Sequence, residues 1–135
     1  MSYHRSNRKF GRKRDQRKAL LKSLTVNLLT YKRIKTTLEK AKEMRSLSER
    51  LIHRGKNKDV SSIRYLKKYL PKTLIQEVTE KISPLYQNRN GGYTRIIRLG
   101  RRINDGAKIA LIELVDYQKL VNKKDDKQKS KVKSK

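Results

Sequence analysis

The chain contains no cysteine and no tryptophan, and among its 135 residues there are only two prolines, two methionines and one phenylalanine. Without cysteine there can be no disulfide framework, no thiolate zinc site and no cysteine nucleophile. No apolar run approaches the roughly 18–20 residues that cross a bilayer. Nor does an apolar stretch of roughly 7–15 residues follow the first charges, as a secretory signal would need. Acidic residues are also scarce. Asp and Glu number 12 against 38 Lys and Arg, a net charge of +26. Hydrophobic residues make up 34% of the chain, below the roughly 45–50% apolar fraction usual for soluble domains, so only a modest core is expected. The length fits one domain.

A chain this basic works against its own compaction, and the excess normally serves a polyanionic partner. Nucleic acid comes first, because cations that neutralise phosphates release condensed counterions. An anionic membrane surface comes second, but the basic start lacks the Trp/Leu face of interfacial helices. Solubility alone needs a net charge of only about 2–8. The charge is spread over the whole chain. Residues 1–22 carry nine cations against Asp15, and residues 117–135 carry eight lysines against Asp125 and Asp126, yet the stretch between them is itself basic.

Residues 1–14 read as a basic arm in which only Tyr3 and Phe10 interrupt the polar residues. These aromatics suit stacking on a splayed base, or docking on the protein's own body. Asp15 is a candidate N-cap for a helix over about 16–30 with Ala19, Leu20, Leu21, Leu24, Leu28 and Leu29 at helical spacing. Arg33 to Thr37 reads as a short strand. Thr37 then caps a helix with Ala41, Met44, Leu47, Leu51 and Ile52 on one stripe, and Gly55 is its expected C′ stop. Asp59 caps a third helix with Val60, Ile63, Leu66, Tyr69 and Leu70 inward, ended by Pro71. Thr73 with Gln76 resembles a capping box for a fourth helix to about Ile82, closed by Ser83-Pro84. Tyr93 to Leu99 and Ile109 to Val115 read as strands around an Asn104-Asp105-Gly106 hairpin turn. The second is apolar on both faces, which places it centrally, beside the strand at 33–37. The chain from Lys119 onward is too polar to bury a core and is expected to be disordered.

The residues offer no catalytic set. His4 lies in the arm, and His53 stands at a helix C-terminus, where the dipole favours its charge. Glu39 and Glu43 sit among Lys40, Lys42 and Arg45 as surface ion pairs. Gly91-Gly92 is not a P-loop, since no Gly-Lys-Ser/Thr follows it. Flanked by Arg89 and by Tyr93 and Arg95, it is a loop whose backbone can approach a phosphate. The cations that read as phosphate-facing are Arg5, Arg8, Lys9, Arg12, Lys13, Arg14, Arg17, Lys18 and Lys22.

Several stretches resemble the family of bacterial large-subunit ribosomal proteins numbered seventeen. Ile34-Lys35-Thr36-Thr37-Leu38-Glu39-Lys40-Ala41-Lys42-Glu43 is similar to its strand-to-helix segment, and Gly91-Gly92-Tyr93-Thr94-Arg95-Ile96 to its glycine-loop signature. Arg17 to Leu24 matches its first helix, His4-Arg5 and Arg8-Lys9 its basic start, and Ile112 to Asp116 its closing strand. The arm is about one residue shorter than the usual pattern, and Gln16 stands where many members have histidine. These segments add His4, Lys35 and Lys40 to the candidate RNA-binding residues, beside the arm and first-helix cations and Arg89, Gly91, Gly92, Tyr93 and Arg95.

The resemblance implies a structural role in the large subunit, with large-subunit rRNA and neighbouring ribosomal proteins as partners, near the mouth of the nascent-chain tunnel. The residues themselves point to no cofactor, metal, membrane or small-molecule substrate, and with no cleavable amphipathic leader evident the expected ribosome-bound location is the cytoplasm of a bacterium rather than an organelle. A DNA-binding architectural protein of the nucleoid is the alternative reading of the charge. The expected architecture is α+β: a basic arm over 1–14, one domain over 15–118 with about four helices on a small mixed three-stranded sheet, and a lysine-rich tail over 119–135.

Overall fold

The computed structural model describes residues 8–119, so Tyr3, His4, Arg5 and the tail beyond 119 lie outside the described residues. The class is α+β, as expected. The order is α1 (Arg14–Tyr31), β1 (Arg33–Thr37), α2 (Leu38–Gly55), α3 (Val60–Lys67), α4 (Lys72–Glu77), β2 (Thr94–Arg101) and β3 (Lys108–Leu114). After α4 the chain continues through a π-helical turn, Val78–Ile82, and one more helical turn, Ser83–Leu85.

The sheet order is β1-β3-β2, so the strand that is apolar on both faces is central. Ile34 pairs with Ile112 and Thr36 with Ala110 on one side, and Ile96 pairs with Ile112 and Thr94 with Leu114 on the other. Both pairings are antiparallel, and the expected mixed sheet is corrected. β3 returns from β2 through a hairpin and then inserts between β2 and β1. It therefore runs against both neighbours, and the two strands that share a direction never touch.

The helices cover one face of this sheet. Ala110, Ile112 and Leu114 point into it and are fully buried together with Leu28, Leu29, Met44, Leu51, Ile52 and Leu66. α2 lies across the centre because Leu38, Ala41, Met44, Ser48, Leu51, Ile52 and Gly55 recur every three or four residues and are all buried. Ser48 takes a core place that Leu47, only half-buried, was expected to fill. Its hydroxyl is satisfied by donating to the Met44 carbonyl at 2.9 Å.

Several expected helix ends shift. α1 starts at Arg14, with Lys13 at the cap position, so Asp15 sits inside the first turn, where a carboxylate favours the positive end of the helix dipole. α4 starts directly after Pro71, whose carbonyl accepts from the Leu74 and Ile75 amides at 3.1 Å each. Thr73 is therefore inside the helix and forms no capping box. Ser83-Pro84 does not end the helical path. The π-turn precedes the proline, and Pro84 falls in the first turn of the last segment, where a missing N–H is tolerated. Val60 is 65% exposed rather than inward, and Ser62 and Leu66 are the buried members of α3.

Gly55 is needed for a different reason from the expected C′ conformation. It is the last residue of α2, and the residue after it is also right-handed helical. A Cβ at Gly55 would collide with the Ser83 hydroxyl and would lie 2.8 Å from Val78 Cγ1. The Ser83 hydroxyl donates to the Ile52 carbonyl at 3.0 Å and locks the end of α2 onto the helical turn that follows the π-turn.

The positive-φ stop falls instead at Lys32 (φ 68°) after α1. This buried residue donates its amide to the Leu28 carbonyl at 2.8 Å, and its carbonyl accepts the Leu114 amide at 2.8 Å. Its ammonium donates to the Leu29 carbonyl and to Glu77 of α4, the latter at 2.9 Å. One residue thus ties α1, α4 and β3 together.

Two stability outcomes follow, each read by urea unfolding. Gly55→Ala should destabilise by about 1–3 kcal/mol, although the same change in an open helix position stabilises by about 1 kcal/mol. Glu77→Ala should destabilise by about 3 kcal/mol, because it removes the carboxylate facing a buried ammonium. Adding Lys32→Met should recover part of that loss.

Candidate nucleic-acid interface

The described residues contain no group of His, Cys, Asp and Glu that could hold a metal ion, and no helix among them is long and apolar enough to cross a membrane. What they present is cationic surface, in three places that hold the candidate residues.

The first is the inner end of the arm with α1. Lys9, Arg12, Lys13, Arg14, Lys18 and Lys22 are exposed and Arg17 is half-buried. Phe10 (φ 53°) and Gly11 (φ 61°) turn the chain between Lys9 and Arg12, and the Arg12 amide donates to the Lys9 carbonyl at 3.1 Å. Arg8 then reaches α2, with Nε 2.6 Å from Glu39 and Nη1 2.9 Å from Glu43. Glu39 also faces Lys42 at 3.5 Å. Arg8 is therefore engaged by the protein's own carboxylates and acts as the pin that holds the arm's inner end on the body.

The second place is the glycine loop before β2. Gly91 and Gly92 are exposed, with open space around both. Tyr93 is not available to stack on a base, since it is 1% exposed and packs on Tyr86 with ring centroids 5.2 Å apart. Its role is to hold the loop from beneath. The Tyr93 hydroxyl donates to the Arg89 carbonyl at 3.0 Å and so accepts from His53 Nδ1, 3.1 Å away. Lys56 lies 4.7 Å from the Tyr93 ring centroid and donates to the same Arg89 carbonyl. Arg89 is thereby set at the loop surface, its guanidinium 4.0 Å from Asp116. His53 has the structural place expected of it, with this added partner. Burial, reinforced by the nearby Asp116 charge, raises the Tyr86 phenol above its ordinary pKa, and its hydroxyl donates to the Val115 carbonyl.

Arg95 stands farther along β2, on the sheet face away from the helices. It is bound by Glu113 across the sheet, with Nε 2.9 Å from the carboxylate. The hydrogen bonds to Glu113 raise its pKa further, and its charge is largely matched within the protein.

The third place is the junction of β1 and α2. Lys35 is exposed on the open face of the sheet, and Lys40 lies in the first turn of α2. Both line a cleft of about 570 Å³ that also takes in Arg101 and Arg102 from the β2–β3 hairpin. Neither arginine was among the candidates. The signal was present in the run Leu99-Gly100-Arg101-Arg102, but the cleft depends on a bulge between Arg98 and Gly100, where Gly100 adopts φ 105°. Lys56 was also missed, because its role requires the loop to fold over Tyr93.

The hairpin tip is held by Arg102, whose Nε lies 2.9 Å from Asp105 Oδ1 and whose Nη2 lies 2.6 Å from Oδ2. Asp105 Oδ1 also accepts the Ala107 amide at 3.1 Å. The Arg102 hydrogen bonds, followed by that amide, lower the Asp105 pKa from 3.8 to about 2.

A family model described as ribosomal protein L17 matches residues 20–115. The chain is 44% identical over 130 residues to a large ribosomal subunit protein bL17 of Thermodesulfovibrio yellowstonii, an alignment covering 96% of this chain and 98% of that protein. It is 46% identical over 116 residues to the protein of the same description in Caldanaerobacter subterraneus subsp. tengcongensis, with 85% and 100% covered. With that of Fusobacterium nucleatum it shares 43% over 116 residues, again with 85% and 100% covered.

The folded-state pKa of Asp105 lies below its unfolded value, so the stability it contributes is present above about pH 3.8 and is lost as pH falls through about 2. A carboxyl-carbon NMR titration should show its midpoint near 2, and Asp105→Asn should loosen the hairpin amides in hydrogen exchange.

Proposed function

The chain belongs to the ribosomal protein L17 family, and on that premise we propose that it is a structural, non-enzymatic constituent of the large ribosomal subunit that binds large-subunit rRNA through phosphate and shape contacts. The observation that carries the RNA reading is the division of charge. Carboxylates are spent inside the protein on Arg8, Lys32, Arg95 and Arg102, while Arg14, Lys18 and Lys22 of α1 and Lys35 of β1 stand toward solvent and Arg17 and Lys40 are half-buried. Lys9, Lys13, Arg14, Lys18, Lys22, Lys35 and Lys40 pair with no carboxylate among the described residues. Surface of this kind reads backbone and shape, because A-form RNA hides its base edges in a deep major groove.

In this reading the body docks on a formed RNA surface, and the basic arm joins RNA helices during assembly. Arginines suit that role through bidentate phosphate contact. Neighbouring ribosomal proteins complete the partner set, and the family resemblance is what supports a position near the tunnel exit and a ribosome-bound, bacterial location.

Binding to a large-subunit rRNA transcript, measured at several salt concentrations, should give a log-log slope of roughly −0.7 to −0.9 per neutralised phosphate. Changing Arg12, Lys13, Arg14 and Lys18 together to Gln should make that slope shallower by about 1 for each phosphate that is no longer neutralised. A slope near zero, or sedimentation of the protein with the nucleoid instead of with large subunits, would overturn the proposal.

A further inference from the structure

We propose that the cleft between the β1–α2 junction and the β2–β3 hairpin is a binding site for an unstacked nucleotide of the RNA, a subsite that rests on the RNA-binding reading above and goes beyond its phosphate contacts.

The argument starts from apolar surface in an unexpected place. Five large apolar side chains are exposed among the described residues, and three of them, Ile97 (38%), Leu99 (49%) and Ile103 (100%), cluster on β2 and the hairpin. The helices cover the opposite face of the sheet. Leu111 and Ile109 of β3 stand beside these residues, since Ile97 pairs with Leu111 and Gly100 with Ile109. At the hairpin end this surface deepens into the cleft of about 570 Å³, where Leu99, Ile103 and Ile109 supply apolar lining. That volume falls in the range of small-ligand sites.

Cations edge the same cleft from three separate elements: Lys35 of β1, Lys40 of α2 and Arg101 of β2. None of the three pairs with a carboxylate among the described residues. Arg102, also at the cleft, is held by Asp105 and keeps the hairpin in place.

Apolar lining and unpaired cations together select the occupant. A ligand that is only phosphate has no use for the lining. A regular A-form duplex presents phosphates and riboses and keeps its bases stacked, so Leu99 and Ile103 would face hydrated surface. An unstacked nucleotide from a loop or bulge satisfies both halves of the site: its base lies against Leu99, Ile103 and Ile109, and its flanking phosphates meet Lys35, Lys40 and Arg101. The net charge of +26 favours one polyanion serving arm and cleft alike.

The test uses the full chain and a full-length large-subunit rRNA transcript. Leu99→Ser with Ile103→Ser should weaken binding about fivefold or more, through the apolar area no longer buried, and leave the salt slope unchanged, because apolar contacts release no counterions. Arg101→Gln should instead make the slope shallower by about 1. A photo-crosslinking amino acid in place of Ile103 should mark one nucleotide in a loop or bulge. Unchanged affinity in the double serine variant, crosslinks confined to duplex RNA, or crosslinks only to another protein in assembled subunits would each overturn the subsite while leaving the RNA-binding reading intact. Failure of the unaltered chain to bind the transcript would overturn both. Ile103 is fully exposed, so its variants test contact and not folding.

Discussion

The constraint that governs this structure is the shortage of negative charge. A chain with 38 cations and 12 carboxylates must fold a small core against its own repulsion, and several of the carboxylates among the described residues stand at joints. Glu77 meets Lys32 where α1, α4 and β3 converge. Glu49 accepts from Arg45 and from the Thr94 hydroxyl, linking α2 to the start of β2. Glu113 binds Arg95 across the sheet, and Glu39 and Glu43 hold Arg8. Pairs exposed at both partners, such as Arg8 with Glu39, add little stability on their own, so their importance lies mainly in position. The buried Lys32 pair is different, because an uncompensated charge there is expensive.

That economy explains how a small protein can be both folded and strongly basic. Carboxylates pair with cations that hold elements together, as at Arg8 and Arg95, and leave Lys35, Lys40 and Arg101 without a carboxylate partner among the described residues, a division that residue type alone does not reveal. The sheet repeats the separation in space. Its helix-covered face is closed by Ala110, Ile112 and Leu114, while its other face keeps Ile97, Leu99 and cations in contact with solvent.

The glycine loop shows how a core residue can serve a surface. Tyr93 lies under the loop, braced by Tyr86, His53 and Lys56, and fixes the Arg89 backbone through its hydroxyl. Exposed Gly91 and Gly92 then follow a fixed point. A loop anchored in this way loses less entropy on meeting a ligand than a free one would.

Element order, the central strand and the strongly basic surface were legible in the residues, because periodicity and net charge are local or summed properties that survive without coordinates. The family segments around Lys35 and Gly91 were legible for the same reason. Folding in three dimensions settled the rest: the sheet is antiparallel throughout, Gly55 is needed for close packing against Val78 and Ser83, Tyr93 points inward, and Arg101 joins Lys35 at one cleft. Each of these depends on residues tens of positions apart meeting in space, and one-dimensional patterns carry no record of which charges and surfaces the fold brings face to face.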